Sequence, residues 1–239
     1  MDFTGFFERL GDIVPRLLYI LPVILISLTV HEYCHAFVAF KQGDYTARNQ
    51  GRISLNPLVH LDPIGTLMII FTALGGLGFG WAKPVPINPA YFRDWKLGMR
   101  LVGLAGPLSN FALATLSMIL IKILEPFLIS SIGGIGFDIL MITYTFLTYM
   151  ILINIGLGVF NLLPFPPLDG SKIFGSFMPD NIYIWMMNNE QYIAYGLIAI
   201  YIFVPGVLDS FMSPLMHGAI TGLDFLLSPI DMLMKLFVK

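Results

Sequence analysis

Charge is what this sequence has least of. Asp, Glu, Lys and Arg together make up 12% of its 239 residues, against 56% hydrophobic residues and a mean hydropathy of +0.80. A soluble domain carries about a quarter charged residues, so this supply cannot clothe a water-facing surface. Cysteine is nearly absent as well: Cys34 alone excludes a disulfide framework and a multi-cysteine zinc ribbon. There is no excess of positive charge. A formal net charge of -2 and a pI near 6.0 exclude a nucleic-acid binder built on clustered Lys and Arg. No 20–50-residue repeat and no low-complexity linker is visible. The expectation is one membrane-embedded domain over 1–239, with a core at 14–175 and further C-terminal apolar segments at 190–237.

What is present is length without charge. Uncharged runs occupy 63–82, 101–121, 139–168 and 191–208, and about 18 such residues suffice for a transmembrane helix. A further apolar block at 14–40 holds His31, Glu32 and His35 deep inside it. With Asp2 and Glu8 at the start and no small-residue cleavage site before the apolar stretch, this block reads as a retained span rather than a removable signal peptide. The pattern predicts an all-α polytopic membrane protein of about five to six transmembrane helices.

One segment breaks the pattern. Polar stretches at 41–62 and 83–100 carry Lys41, Arg48, Arg52, Lys83, Arg93, Lys96 and Arg100, seven of the 13 basic residues. The positive-inside rule places both in the cytoplasm, whereas a plain span at 63–82 would separate them. Five glycines (Gly65, Gly75, Gly76, Gly78 and Gly80) make 63–82 a poor straight helix. The expectation is therefore a re-entrant or β-hairpin segment within 43–90; the alternative is an ordinary short span.

The sharpest local signal is His31-Glu32-Tyr33-Cys34-His35. On a helix, histidines four apart share one face, so both imidazoles can reach one zinc ion while Glu32 serves a nearby water. Burying these groups in a membrane helix is costly and marks function. A catalytic zinc takes a third protein ligand. Asp169 ends the longest uncharged run, just past Pro164, Pro166 and Pro167, which places it at the membrane depth of the histidines. The competing reading of Asp169 is a plain Asp-Gly turn residue. His217, in an apolar segment, reads as a bundle hydrogen-bonding residue.

His31–His35 followed by Asn161-Leu-Leu-Pro-Phe-Pro-Pro-Leu-Asp-Gly170 resembles the two signatures of the site-2 protease family, peptidase family M50, whose members are intramembrane zinc metalloproteases. Ala105-Gly-Pro-Leu-Ser-Asn110 is similar to the family's G-P-x-x-N element. Gly51-Arg-Ile-Ser-Leu-Asn-Pro57 and Gly80-Trp-Ala-Lys-Pro-Val-Pro86 resemble its compact branch without PDZ or CBS domains. The resemblance covers roughly 25–175. It implies one Zn2+ held by His31, His35 and Asp169, Glu32 as general base, and Asn161 helping to stabilise the oxyanion. Asn110 is a weaker substrate-site candidate. With Trp81 and Val85, the extended 81–88 stretch is a candidate edge for an added substrate strand. The implied partners are the lipid bilayer and a single-span membrane protein or remnant peptide as substrate, with no nucleic acid. The implied location is a prokaryotic plasma membrane with the site toward the cytoplasm. The competing function is a polytopic protein binding a divalent metal for transport.

Overall fold

The apolar blocks at 14–40, 99–122 and 139–163 all become long helices. The structure is a computed structural model that describes residues 3–73, 80–132 and 134–237. In chain order the helices are α1 (Phe3–Lys41), α2 (Thr46–Asn49), α3 (Pro63–Ala73), α4 (Trp95–Ser130), α5 (Ile135–Asn161), α6 (Asp169–Gly175), α7 (Asp180–Asn188), α8 (Glu190–Phe203) and α9 (Val207–Phe237). Among the described residues there is no strand; one isolated antiparallel bridge pairs Leu61 with Ala82.

Three stretches are long and apolar enough to cross a bilayer: Pro15–Lys41 of α1, Trp95–Leu128 of α4 and Gly136–Asn161 of α5. A fourth is present if α8 and α9, bent by 98° at their junction, are taken as one broken span. Pro205 and the left-handed Gly206 (φ 79°) lie at that break. The sequence-based count of five to six takes 191–208 and 211–237 as separate passes, with 63–82 as a sixth only under the alternative that it crosses. Only 17% to 22% of each span's most apolar window is buried, so most of its Leu, Ile and Phe side chains face outward. A soluble monomer does not expose apolar surface on that scale; facing lipid, it carries no penalty. The chain is an integral membrane protein of helical architecture.

The helices pack around two interior zones. Ala114 and Met118 of α4, Ile151, Ile155 and Val159 of α5 and Met212 of α9 form an apolar core, closed by Leu163 and Leu168. Nearer the loop-rich end, Ala39 of α1 packs with Phe92, Met99 and Val102, while Ala36 packs with Ala47 and Val85. Between these zones lies a polar layer. α4 begins cleanly because Asp94 caps it, its Oδ1 accepting from the backbone N–H groups of Lys96 and Leu97.

Within the segment of contested topology, the described part of α3, Pro63–Ala73, has 11 residues, and residues 74–79 lie outside the described ones. The chain then returns to where it left: besides the Leu61–Ala82 bridge, Lys83 N–H donates to the carbonyl of His60 at 2.8 Å. A Cβ on Gly65 would strike the Trp81 carbonyl, and one on Gly80 would strike Ile69. The absent side chains thus permit direct contact of the two limbs. Gly75, Gly76 and Gly78 lie outside the described residues.

Candidate active site

α1 and α4 run antiparallel, so successive turns of one meet successive turns of the other in reverse. His31 Nδ1 lies 2.6 Å from Asn110 Oδ1, and His35 Nδ1 lies 2.7 Å from the carbonyl of Val102. A carbonyl only accepts, so His35 Nδ1 carries a proton and its Nε2 offers a lone pair. Small residues make this approach possible. A Cβ on Gly106 would sit 2.5 Å from His31 Cε1 and from His35 Nε2. Gly103 gives the same clearance to α6, whose Asp169 carbonyl would be 3.0 Å from its Cβ.

Asp169 arrives from the other side. The proline-rich turn 162–168 ends α5, and α6 starts on Asp169 itself, with Leu168 as an extended cap residue. The turn beyond α6 is tied to α4. Arg100 Nε donates to Ser176 Oγ at 3.0 Å, and Lys96 Nζ reaches the Met178 carbonyl and pairs with Asp180. These basic residues therefore anchor the element that carries the carboxylate.

The three side chains meet at one point. Asp169 Oδ2 is 3.1 Å from His31 Nε2 and 3.0 Å from His35 Nε2, and the two Nε2 atoms are 3.0 Å apart. His31, His35 and Asp169 are all buried. Three lone-pair donors converging away from water repel one another unless a cation sits among them, and two imidazoles with one carboxylate suit zinc. The residues present therefore fit the metal. Lys172 occupies the remaining carboxylate oxygen, its Nζ 2.8 Å from Asp169 Oδ1.

Glu32 follows His31 around the helix. Its Oε2 accepts from the backbone N–H of Val85 at 3.0 Å. That N–H belongs to the extended 80–88 segment, braced at Lys83 by Arg52 Nη2 on its carbonyl and by His60 on its N–H.

Other residues singled out in the sequence are placed differently. Asn110 is fully buried between His31 and Asn154, turned toward the helices rather than toward a substrate path. Asn161 donates to the carbonyl of Leu157 in its own helix at 3.0 Å. The Val85 side chain packs under Ala36 and Ala47, leaving its backbone to face Glu32, and Trp81 is half exposed. His217 is exposed, 3.5 Å from Thr221. Two contributors escaped the sequence reading. Lys172 lies one turn after Asp169, at a spacing that could have flagged an ion pair. Asn154 is an amide midway along an uncharged 30-residue run, a costly position that was itself a signal.

The residues 93–204 match the family model Peptidase family M50, a stretch that contains Asn110, Asn154, Asn161 and Asp169. Three relatives carry the name "Putative zinc metalloprotease". YwhC of Bacillus subtilis is 39% identical over 176 residues, covering 73% of this chain and 75% of that protein. MJ0611 of Methanocaldococcus jannaschii is 30% identical over 187 residues, covering 76% and 81% respectively. Rip2 of Mycobacterium tuberculosis is 34% identical over 152 residues, covering 61% of this chain and 52% of its own length. No solved structure matches the chain. Relatives aligned over most of both chains, together with a family match that includes Asp169, show that the chain belongs to peptidase family M50.

Proposed function

We propose that the protein is a zinc-dependent endopeptidase that cuts a peptide bond within or beside a transmembrane segment of its substrate. The observation that carries this reading is the convergence of His31 Nε2, His35 Nε2 and Asp169 Oδ2 inside a membrane helix bundle, with Glu32 on the adjoining helical position. The three convergent residues would hold one zinc ion, which would supply Lewis acidity, polarising a peptide carbonyl and lowering the pKa of a bound water toward neutrality. Glu32 takes a proton from the attacking water and passes it to the leaving amine. Its carboxylate is already oriented by the Val85 N–H. Asn161, at the end of α5 eight residues before Asp169, turns its amide from the Leu157 carbonyl toward the developing oxyanion.

The substrate is a single-span membrane protein or a remnant peptide left in the bilayer. The adjacency of Leu61 to Ala82 supports a re-entrant path for 62–81. That path keeps all seven basic residues of 41–100 on one side, which the positive-inside rule makes cytoplasmic. The site then opens toward the cytoplasm, in a prokaryotic plasma membrane. A transport function would need polar groups continuing across the membrane. Among the described residues, the hydrogen-bonded chain that starts at His31 ends at Ser27, whose hydroxyl donates to the Val23 carbonyl, and does not reach the Lys122–Asp224–Asp231 cluster.

Metal analysis and a cleavage assay on the purified protein, reconstituted with a single-span substrate, test the reading. Asp169→Ala is expected to lose zinc; undiminished occupancy would remove Asp169 as a ligand. Glu32→Gln is expected to keep zinc and lose turnover, and full activity in that variant would sink the base assignment.

A further inference from the structure

A backbone carbonyl in the third span decides which nitrogen of His31 is free. Four side chains from three helices form one buried hydrogen-bonded chain. Asn154 Nδ2 donates to the Met150 carbonyl at 2.8 Å and to Ser27 Oγ at 2.9 Å. Asn110 Nδ2 donates to Asn154 Oδ1 at 2.8 Å, and Asn110 Oδ1 faces His31 Nδ1 at 2.6 Å. Ser27, Asn110 and Asn154 are fully buried and His31 nearly so, so no water competes for these groups.

The direction of the chain has no freedom. The Met150 carbonyl can only accept, so Asn154 must turn its amide nitrogen toward it. The Asn154 oxygen therefore faces Asn110, and two oxygens cannot meet there, so Asn110 presents its nitrogen. That leaves the Asn110 oxygen toward His31, which must carry its proton on Nδ1. The lone pair then falls on Nε2, the atom facing His35 and Asp169. A reversed Asn110 would present N–H groups to Nδ1, favour the proton on Nε2 and block the ligating atom.

We propose that Asn154 is a positioning residue for zinc binding, acting through Asn110 to hold His31 with its Nε2 lone pair exposed. Ser27 is not part of the decision: it accepts from Asn154, but Met150 alone suffices to orient that amide. The proposal rests on His31 being a zinc ligand and adds the residue that selects its tautomer.

The test is zinc affinity of the full-length protein in detergent, measured by competition with a chromophoric chelator, with thermal unfolding alongside. Asn154→Leu leaves Asn110 free to turn over, and loss of such an outer partner weakens metal binding by about 10–100-fold. Asn154→Ala carries the same expectation should the leucine variant not fold. Ser27→Ala is expected to bind zinc as the wild type does. In the Asn154→Leu background, Asn110→Asp is expected to restore affinity, because a carboxylate accepts from Nδ1–H in either orientation and needs no partner to turn it.

Wild-type affinity in Asn154→Leu would overturn the proposal, as would no gain in the double variant over Asn154→Leu. Equal weakening in Ser27→Ala would reduce the chain to packing and overturn it too. Zinc retention at wild-type affinity by His31→Ala would be a different failure, removing the ligand on which the relay acts.

Discussion

Gly106 faces both histidines of the proposed zinc site and leaves no room there for a side chain. In Gly106→Ala the new methyl would lie 2.5 Å from His31 Cε1, 2.5 Å from His35 Nε2 and 2.6 Å from His31 Nε2. Ordinary contact begins at 3.4 Å, so the shortfall is 3.4 − 2.5, about 0.9 Å, on both imidazoles at once. Neither ring can swing away without breaking a bond, since the Nδ1 atoms are held by Asn110 and Val102. Either α4 moves off α1 by nearly an ångström, or the ligands leave the point where they converge with Asp169. Overpacking of this kind costs about 1–3 kcal/mol, and a misplacement of about 1 Å at a reacting centre costs about 10²-fold in rate. Gly156→Ala supplies the control, because its methyl meets only Met216 Cε at 3.5 Å. It should raise stability slightly through the helix preference of Ala over Gly. The assay pairs zinc content by chelator competition with cleavage of a reconstituted substrate. Gly106→Ala is expected to lose zinc affinity and at least about 10²-fold in turnover, with Gly156→Ala unchanged in both. Full zinc affinity and turnover in Gly106→Ala would refute the packing argument.

Two further predictions concern the elements that carry the ligands. Lys172→Met frees Asp169 Oδ1 and is expected to weaken zinc by about 10–100-fold, with Lys172→Arg recovering part of the loss; equal zinc affinity in all three proteins would show that the ion pair does not orient the carboxylate. Asp94→Ala removes the cap of α4 and is expected to cost about 1 kcal/mol of stability in denaturant unfolding, while zinc stoichiometry stays at one per chain. An unfolding midpoint identical to wild type would show that the Lys96 and Leu97 N–H groups find other acceptors.

How far the site is legible in the sequence depends on the kind of interaction. His31, Glu32 and His35 are readable because a five-residue helix segment fixes their mutual placement. Asp169 stands out as a charge ending an uncharged run, but that pattern equally fits an Asp-Gly turn, and its role as third ligand comes from the family resemblance. The spans α1, α4 and α5 follow from hydropathy alone. Asn110 is the instructive case. Its position in the Gly106–Asn110 element marks it as part of the site, but not which way it points. That depends on Asn154, 44 residues away, and on the antiparallel register of α4 and α5. The count of spans is less legible for a related reason. Residues 63–82 and 191–208 are apolar enough to cross, yet Leu61 and Ala82 lie side by side at the two ends of the first, and α8 turns by 98° into α9. Composition reports affinity for lipid, while the path through it is set by glycine and proline breaks and by contacts such as Trp81 on Gly65.

The segment Pro84-Val85-Pro86 has a consequence for what can lie beside it. Proline carries no N–H, and the one N–H of these three residues is spent on Glu32. Over this length the backbone has no donor left to give. An extended peptide brought against it meets an edge that only accepts, so every bond along that edge must come from the peptide's own N–H groups. Proline or N-methylated residues in the register facing 84–86 would forfeit them. Committing the single Val85 N–H to the glutamate thereby screens the backbone of whatever approaches this edge.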